Sequence, residues 1–337
     1  MNRTEWRSHL TALLTAIVAC VGLLSLSSAP AWAAAGTITE FNVPTGSGDP
    51  FGITAGPDGN LWFTAGPDII GRITTNGSVT GFPAPPALDG PQFITAGPDG
   101  NLWFTAFQGN AIGRITTAGS FTAFPIPTAS SGPQGITVGP DGNLWFTERD
   151  ANKIGRIMPS GAITEFPLPK KDCRSTNGCQ PQEITAGPDG NLWFTERAGN
   201  QIGRLTTSGS LTEFLIPTPS SLPEGITVGP DGNLWFTEFN VDKIGRITTA
   251  GLVTEFPVAL SGPFGITTGP DGNLWFTLSF GNRIERLTAG GNDTVFPLPT
   301  RCGHKFGCEP LGIAAGPDGN LWFTESQGNK IGRITTQ

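Results

Sequence analysis

The nine residues GPDGNLWFT stand at positions 139–147, and the same nine letters occur seven times in the chain of 337 residues. The other copies begin at Gly56, Gly97, Gly187, Gly229, Gly269 and Gly316. Successive copies are about 42 residues apart, a period typical of β-propeller blades. Seven such repeats account for the whole chain after residue 33, so the sequence predicts a single domain over residues 34–337.

Each repeat divides into four short strands separated by turn signals. In the third copy the predicted strands are 135–138, 143–148, 153–158 and 162–167, and Pro140-Asp141-Gly142 forms the first turn. Proline presets the first torsion angle of such a turn, and glycine accepts its left-handed position. Strands of this length at regular spacing indicate antiparallel β-structure. The 48 glycines and 30 prolines exclude an all-helical protein, because both residues terminate helices.

The pattern predicts an all-β fold, a seven-bladed β-propeller of four-stranded antiparallel blades. Leu144, Trp145 and Phe146 are consecutive apolar residues, so both faces of their strand are expected to pack against neighbouring sheets. After residue 33 the chain starts with Thr37–Val43, which matches a fourth strand, and it ends with Ile331–Thr335, which matches a third strand. We therefore expect the N-terminal strand to complete the last blade and close the ring, which also covers two free sheet edges.

Residues 1–33 have the pattern of a secretory signal peptide. Two arginines lie among the first nine residues, an apolar stretch covers residues 10–26, and Ala31-Trp32-Ala33 offers small residues for cleavage. The sequence thus predicts a secreted or extracytoplasmic protein. Two alternatives stay open, an uncleaved membrane anchor and a lipoprotein site at Cys20.

The other four cysteines form two pairs with the same spacing, Cys173 with Cys179 and Cys302 with Cys308. In an exported chain such pairs predict disulfides, each contributing about 2 kcal/mol by the loop-closure estimate. A zinc site is the alternative. It would need ligands that converge from both loops, and His304 is the one histidine after the predicted signal.

The charge of the chain limits the classes of partner. The formal net charge is −7, and no long cluster of lysine or arginine is present. This balance argues against nucleic acid or an anionic membrane as the main partner, so we expect neither. We also expect a monomer.

Residues that recur in every blade are most simply architectural, because a single site needs an asymmetric arrangement. An arginine occupies the same place on each third strand: Arg72, Arg114, Arg156, Arg204, Arg246, Arg286 and Arg333. We expect these arginines to bond the turn aspartates. The PDGN turns resemble calcium loops, but they lack the further ligands that the ion requires. Function is therefore expected where the repeat is broken.

Two positions differ from blade to blade. The residue after the first-strand proline is Phe51, Gln92, Gln134, Gln182, Glu224, Phe264 or Leu311. Blades six, seven and one are ring neighbours, so Phe264, Leu311 and Phe51 should form an apolar arc that faces a polar arc of the other four. The residue after each WFT is Ala65, Ala106, Glu148, Glu196, Glu238, Leu278 or Glu325. Both sets are predicted to surround one mouth of the central channel and to bind an amphipathic small molecule, glycan or peptide.

Two insertions, Lys170–Gln180 and Arg301–Glu309, are predicted to rise from the same face as that mouth. They carry the basic residues Lys170, Lys171, Arg174, Arg301, His304 and Lys305. Loops held by disulfides over a channel mouth predict a ligand site. Solvated loops without a ligand are the alternative.

The blade string NLWFTE…NKIGRITTxGxITEFPxPT, with its fourth strand taken from the N-terminus, closely resembles the virginiamycin B lyase family, also called streptogramin lyases. The resemblance spans essentially all of the chain after the predicted signal. It implies a Mg²⁺ cofactor and an elimination that opens the lactone ester of type B streptogramins. In that family a histidine acts as the base, and the metal stabilises the negative charge that develops.

The positions that carry this chemistry differ here. The family's two histidines follow a proline, in PHAI and EPHGI, and the matching residues of this chain are Phe264 and Leu311. The glutamate before the second proline is present as Glu309, whereas the family's second metal carboxylate falls on Ser326, beside Glu325. Phenylalanine and leucine cannot transfer a proton, a step that typically supplies roughly 10²–10⁴-fold in rate.

The leading hypothesis is a secreted, lyase-like propeller that binds a ligand across the channel mouth without the family's elimination. The first alternative is an active carbon–oxygen lyase that uses Glu309 and Glu325 as Mg²⁺ ligands and His304 as a substitute base. The second alternative is a structural or adhesion module.

Overall fold

A computed structural model describes residues 35–44, 48–170, 173, 175, 178–258, 262–288, 290–303, 305 and 307–337. The predicted signal and His304 lie outside these residues. The described chain is part of one compact unit, Ala34–Gln337. It contains seven four-stranded antiparallel sheets, and each sheet is one propeller blade. Among these residues, no helix is long and apolar enough to cross a membrane.

The strands of each blade follow one another in chain order, and the first strand of a blade lies next to the channel. Blade one is β2 Pro50–Ala55, β3 Leu61–Ala65, β4 Ile69–Ile73 and β5 Val79–Pro83, followed by the 3₁₀ turn Pro86–Leu88; blade two is β6 Pro91–Ala96, β7 Leu102–Ala106, β8 Ala111–Ile115 and β9 Phe121–Pro125. Blade three is β10 Pro133–Val138, β11 Leu144–Glu148, β12 Lys153–Ile157 and β13 Ile163–Pro167; blade four is β14 Pro181–Ala186, β15 Leu192–Glu196, β16 Gln201–Leu205 and β17 Leu211–Leu215. Blade five is β18 Pro223–Val228, β19 Leu234–Glu238, β20 Lys243–Ile247 and β21 Val253–Pro257; blade six is β22 Pro263–Thr268, β23 Leu274–Leu278, β24 Arg283–Leu287 and β25 Asp293–Pro297. Blade seven is β26 Pro310–Ala315, β27 Leu321–Glu325, β28 Lys330–Ile334 and β1 Ile38–Asn42.

The ring closes as predicted, because the first strand of the chain completes the last blade. Strand β1 pairs antiparallel with β28, and Ile38 lies opposite Ile334. The four predicted strands of the third repeat are also confirmed, with bounds that differ by at most two residues.

The recurrent tryptophan, arginine and turn aspartate form one architectural unit in each blade. In blade three the Trp145 indole N–H donates to Asp141 at 2.9 Å. The Arg156 guanidinium lies 3.9 Å from the same carboxylate and 5.5 Å from the Trp145 ring centre. Burial opposes ionisation of Asp141, but hydrogen bonds from Trp145 and Asn143 hold the pKa of this carboxyl below its ordinary value. The structure confirms an ion pair between the repeated arginine and the turn aspartate in six blades. In blade four Arg204 instead donates to the carbonyl of Thr249 at 2.9 Å.

The threonine that ends each GPDGNLWFT copy joins one blade to the next. In blade three the Thr147 hydroxyl accepts the N–H of Gly135 at 2.9 Å and donates to the carbonyl of Gln182, in blade four, at 2.6 Å. The same link to the next first strand is made by Thr64, Thr105, Thr195, Thr237, Thr277 and Thr324. Their seven acceptors are the carbonyls of the variable residues after the first-strand prolines. The repeat therefore fixes the backbone of every predicted mouth residue.

We predict that Thr147→Val destabilises the protein by about 1–3 kcal/mol, because it leaves the buried Gly135 N–H and Gln182 carbonyl without their partner. Urea unfolding followed by tryptophan fluorescence measures the change. Thr164→Val, at an exposed position on the fourth strand of the same blade, is the control and should change stability by no more than about 0.5 kcal/mol. Equal effects of the two substitutions would contradict the role given to the inter-blade hydroxyl.

Candidate functional site

The central channel contains a small lumen lined by the first strands of all seven blades. Its walls include four of the predicted ligand residues, Phe51, Gln182, Glu224 and Phe264. The lumen volume is about 80 Å³, which is enough for several water molecules. Sites for drug-sized ligands usually occupy roughly 300–1,000 Å³. A larger molecule would therefore lie across the mouth and would not enter the channel whole.

The structure does not bring all seven predicted residues into this lumen. Gln92, Gln134 and Leu311 are absent from its described lining. Gln134 and Leu311 are each only 8% exposed. Four of the seven predicted residues thus line the lumen, and the ligand-binding role of the whole set stays a prediction.

One wall of the lumen is aromatic. The ring of Phe51 meets that of Phe93 edge-on at 5.2 Å and that of Phe264 at 5.9 Å between ring centres. Phe264 in turn meets Phe239 at 6.3 Å, and Phe239 meets Phe280 at 5.0 Å. These five residues, here called the aromatic row, run from the lumen to a side chain that is 42% exposed, Phe280. Phe51 and Phe264 thus lie together, as expected for the apolar arc, and their role in ligand binding stays a prediction.

The opposite wall carries carboxyl groups. The Arg197 Nε donates to Glu224 at 2.5 Å. Burial raises the pKa of Glu224 to about 7, against the opposing effect of Arg197. Burial also raises the pKa of Glu183 to about 8, although the Ile226 N–H donates to its carboxylate at 3.0 Å. Near neutral pH, Glu183 is therefore mainly protonated and can donate a hydrogen bond.

Sequence reasoning missed Glu183 and Phe93, which both line the lumen. They occupy the position two residues after the first-strand proline, where the other blades have glycine: Gly52, Gly135, Gly225, Gly265 and Gly312. Glycine suits this place because the backbone of the next blade is close; a Cβ on Gly135 would lie 2.6 Å from the carbonyl oxygen of Gln182. The replacement of glycine at these two positions was the signal in the sequence that could have identified both residues.

Contrary to the prediction, the residues that follow each WFT do not surround the mouth. All seven are at most 1% exposed and lie inside the blades: Ala65, Ala106, Glu148, Glu196, Glu238, Leu278 and Glu325. Their position follows from a bulge in each first strand, which places the strand's initial proline opposite this residue, as Pro133 is opposite Glu148.

The buried glutamates of this set are held in the acid form. Burial raises the pKa of Glu148 to about 8, and the neighbouring carboxylate of Glu165 adds to the effect. Glu165 instead pairs with Lys153 at 3.2 Å. Hydrogen bonds from Thr128 and Lys153 outweigh burial and lower the pKa of Glu165. One proton and one ammonium group thus neutralise two adjacent carboxylates.

The family's metal and base positions are only partly retained: Glu309 is present, but Ser326 stands at the second carboxylate position. Phe264 and Leu311 offer no ligand atom. Glu325 is fully buried, and burial together with Glu40 raises its pKa to about 8, so it is mostly uncharged at neutral pH. In the described part of the chain, Glu325 forms a cluster with Cys302 and Cys308, whose sulfurs form a disulfide. Magnesium prefers charged or carbonyl oxygen ligands in octahedral geometry, which this set does not supply.

Both predicted disulfides are present, Cys173–Cys179 and Cys302–Cys308. Each insertion is also tied to the preceding blade by an asparagine. Asn152 accepts the N–H of Cys179 at 2.7 Å, and Asn282 accepts that of Cys308 at the same distance. Of the predicted basic loop residues, Lys171, Arg174 and His304 lie outside the described chain.

The comparisons with known proteins agree with this architecture. The family model that matches is that of the virginiamycin B lyase family, over residues 31–177 and 174–337. A streptogramin B lyase structure is 37% identical, with a TM-score of 0.81 over 89% of this chain and 98% of the other. Selenomethionine-substituted virginiamycin B lyase from Staphylococcus aureus is 41% identical, with a TM-score of 0.81 over 89% and 99% of the two chains.

A third similar solved structure includes quinupristin. It is a catalytically inactive histidine-to-alanine variant of virginiamycin B lyase from Staphylococcus aureus with quinupristin, 41% identical, with a TM-score of 0.80 over 89% and 99% of the two chains. No curated protein sequence matches the chain significantly.

We predict that Glu148 makes the stability of the protein fall with rising pH. Its pKa is about 8 in the folded protein and 4.5 in its ordinary state, so the folded protein retains a proton that the unfolded chain releases. Its stabilising contribution is complete below about pH 4.5 and is lost as the pH rises to about 8. The difference in the free energy of unfolding between Glu148→Gln and the unsubstituted protein should therefore shift by at least about 1 kcal/mol in favour of the variant between pH 5 and pH 8.5.

Urea unfolding at a series of pH values measures this gain. Asp293→Asn, at an exposed position in blade six, is the control and should leave the pH profile unchanged. Parallel profiles for Glu148→Gln and the unsubstituted protein would show that the buried carboxyl is not held protonated.

Proposed function

The chain belongs to the virginiamycin B lyase family, and from this premise we propose that it is a secreted binding protein that holds an amphipathic molecule across its channel mouth without opening a lactone. Peptides, glycans and cyclic natural products are the ligand classes that suit such a surface. The predicted signal peptide supports export, and the two disulfides are compatible with an extracytoplasmic location.

The observation that carries the proposal is the division of the channel lumen into two chemically different walls. On one side Phe51 and Phe264 are in contact and continue outward along the aromatic row. On the other side Glu183 and Glu224 offer a hydrogen-bond donor and an acceptor, with Arg197 bound to the latter. A ligand with an apolar face and a polar edge can satisfy both walls at once.

The same residues argue against the elimination. Removing a proton from carbon requires a base within reach, and at the two histidine positions of the family this chain has Phe264 and Leu311. Of the nearby carboxyls, Glu183 is mostly protonated near neutral pH, and Glu224 is occupied by Arg197. The aromatic contact of Phe264 with Phe51 and Phe239 supports a binding role for that position in place of proton transfer.

We predict that the purified protein leaves a type B streptogramin lactone intact in the presence of Mg²⁺. Mass spectrometry separates the cyclic compound from its ring-opened isomer by retention time and fragmentation, and the rate should equal that of buffer alone. Opening above this background that is abolished by chelation or by His304→Ala would contradict the proposal and establish the lyase alternative.

We predict that the intact lactone nevertheless binds, and that Phe264→Ala weakens binding about tenfold, which corresponds to the loss of roughly 1.4 kcal/mol of aromatic contact. Isothermal titration with quinupristin measures the affinity. Leu252→Ala is the matched control and should leave the affinity unchanged. It removes an exposed leucine in the turn between the third and fourth strands of blade five. Failure to bind quinupristin or any member of a panel of peptides and glycans would instead favour the structural or adhesion alternative.

A further inference from the structure

Beside the aromatic row, a basic groove lies between the second and third strands of blade six and the loop that leads to blade seven. We propose that this groove binds an anionic group, so that the ligand of the channel mouth is an amphipathic anion such as an aromatic carboxylate or sulfonate. The identification of the ligand class rests on the proposed function, whereas the anion site itself does not.

The groove has a volume of about 560 Å³. Three cationic residues line it, Arg283, Arg301 and Lys305, together with the ring of Phe280. Among the described residues, no carboxylate lines it. A space of this size can receive an anionic group and part of the apolar body attached to it.

Comparison with the other blades shows why Arg283 is available. In blades three, five and seven the lysine that starts the third strand pairs with a glutamate of the fourth strand: Lys153–Glu165 at 3.2 Å, Lys243–Glu255 at 3.3 Å and Lys330–Glu40 at 2.7 Å. Blade six keeps the cation as Arg283 but has Val295 at the place of that glutamate.

The buried glutamate of the second strand is also missing from blade six, where Leu278 takes its place. Neither Arg283 nor Arg301 has a carboxylate within ion-pair distance among the described residues. Glu285 lies two residues from Arg283 on the same strand, but it is fully buried and does not line the groove. The cation of the repeat has been retained here while both of its acidic neighbours have been lost.

The loop that supplies Arg301 is held in place at both ends. The Asn282 side chain donates to the carbonyl of Thr300 at 2.9 Å and accepts the N–H of Cys308 at 2.7 Å. The Cys302–Cys308 disulfide closes the segment between them. Because the cations are borne by a constrained loop and a β-strand, less conformational entropy is lost when an anion binds. Guanidinium groups also match the geometry of carboxylate and sulfonate oxygens.

The aromatic row connects the groove with the apolar wall of the lumen. Phe280 lines the groove and meets Phe239, which meets Phe264 at the lumen. A molecule whose rings pack on the aromatic row can therefore reach Arg283 and Arg301 with an acidic substituent.

Three fluorescent probes with the same ring system test this inference: pyrenesulfonate, pyrenemethanol and pyrenemethylammonium. At pH 7 and low ionic strength the sulfonate should bind at least tenfold more tightly than the neutral alcohol, and the ammonium compound most weakly. The double variant Arg283→Gln/Arg301→Gln should reduce the preference for the sulfonate to within twofold while leaving the affinity for the alcohol unchanged. Thermal unfolding checks that the variant is folded.

Lys170→Gln provides the control, because Lys170 is an exposed cation of the other disulfide-containing insertion; it should keep the full preference for the sulfonate. Equal binding of sulfonate and alcohol, or a preference that survives the double arginine variant, would overturn the anion site and leave the proposed mouth site standing. Sulfonate binding that depends on the two arginines but is unaffected by Phe264→Ala would keep the anion site and overturn its connection with the mouth. Absence of binding by all three probes would overturn both.

Discussion

The hydrogen bonds of one threonine hydroxyl in each blade fix the position of the backbone at the residues predicted to surround the channel mouth. The hydroxyl accepts a backbone N–H from its own first strand and donates to a backbone carbonyl of the next first strand, as Thr147 does between Gly135 and Gln182. Both partners are main-chain groups, so the link does not depend on which side chain the linked residue carries. Glutamine, glutamate, phenylalanine and leucine can therefore occupy the linked position without a change in the backbone. The fold separates the architecture of the ring from the chemistry of its mouth.

The same separation explains which properties the sequence could predict. The blade count, the strand order and the ring closure follow from the repeated letters, because every blade uses the same turn, tryptophan and arginine. Phe51 and Phe264 were also predictable, since they interrupt a recurring pattern beside a proline. Phe93 and Glu183 were missed because the interruption lies one residue further, at a place that glycine normally fills.

The error about Glu148 and its equivalents has a different physical origin. The alternation of residues along a strand predicts which side chains share a face. A bulge in the partner strand, however, changes which of its residues lie opposite them. Between Pro133 and Ile136 the register shifts by one residue, and the proline is thereby opposed to Glu148. No periodicity in the sequence records this shift. The consequence is a carboxyl group in the interior, where protonation costs less free energy than burial of a second negative charge.

These buried acids also bear on how the protein meets a charged ligand. Glu148, Glu183, Glu196, Glu238 and Glu325 all have pKa values raised by burial to about 8. At pH 7 they are mostly uncharged, so the protein carries less negative charge than the formal value of −7. The remaining exposed charges are screened over about 8 Å at physiological ionic strength. An anion near blade six therefore experiences mainly the local cations Arg283 and Arg301, and the acidic composition of the whole chain does not prevent its binding.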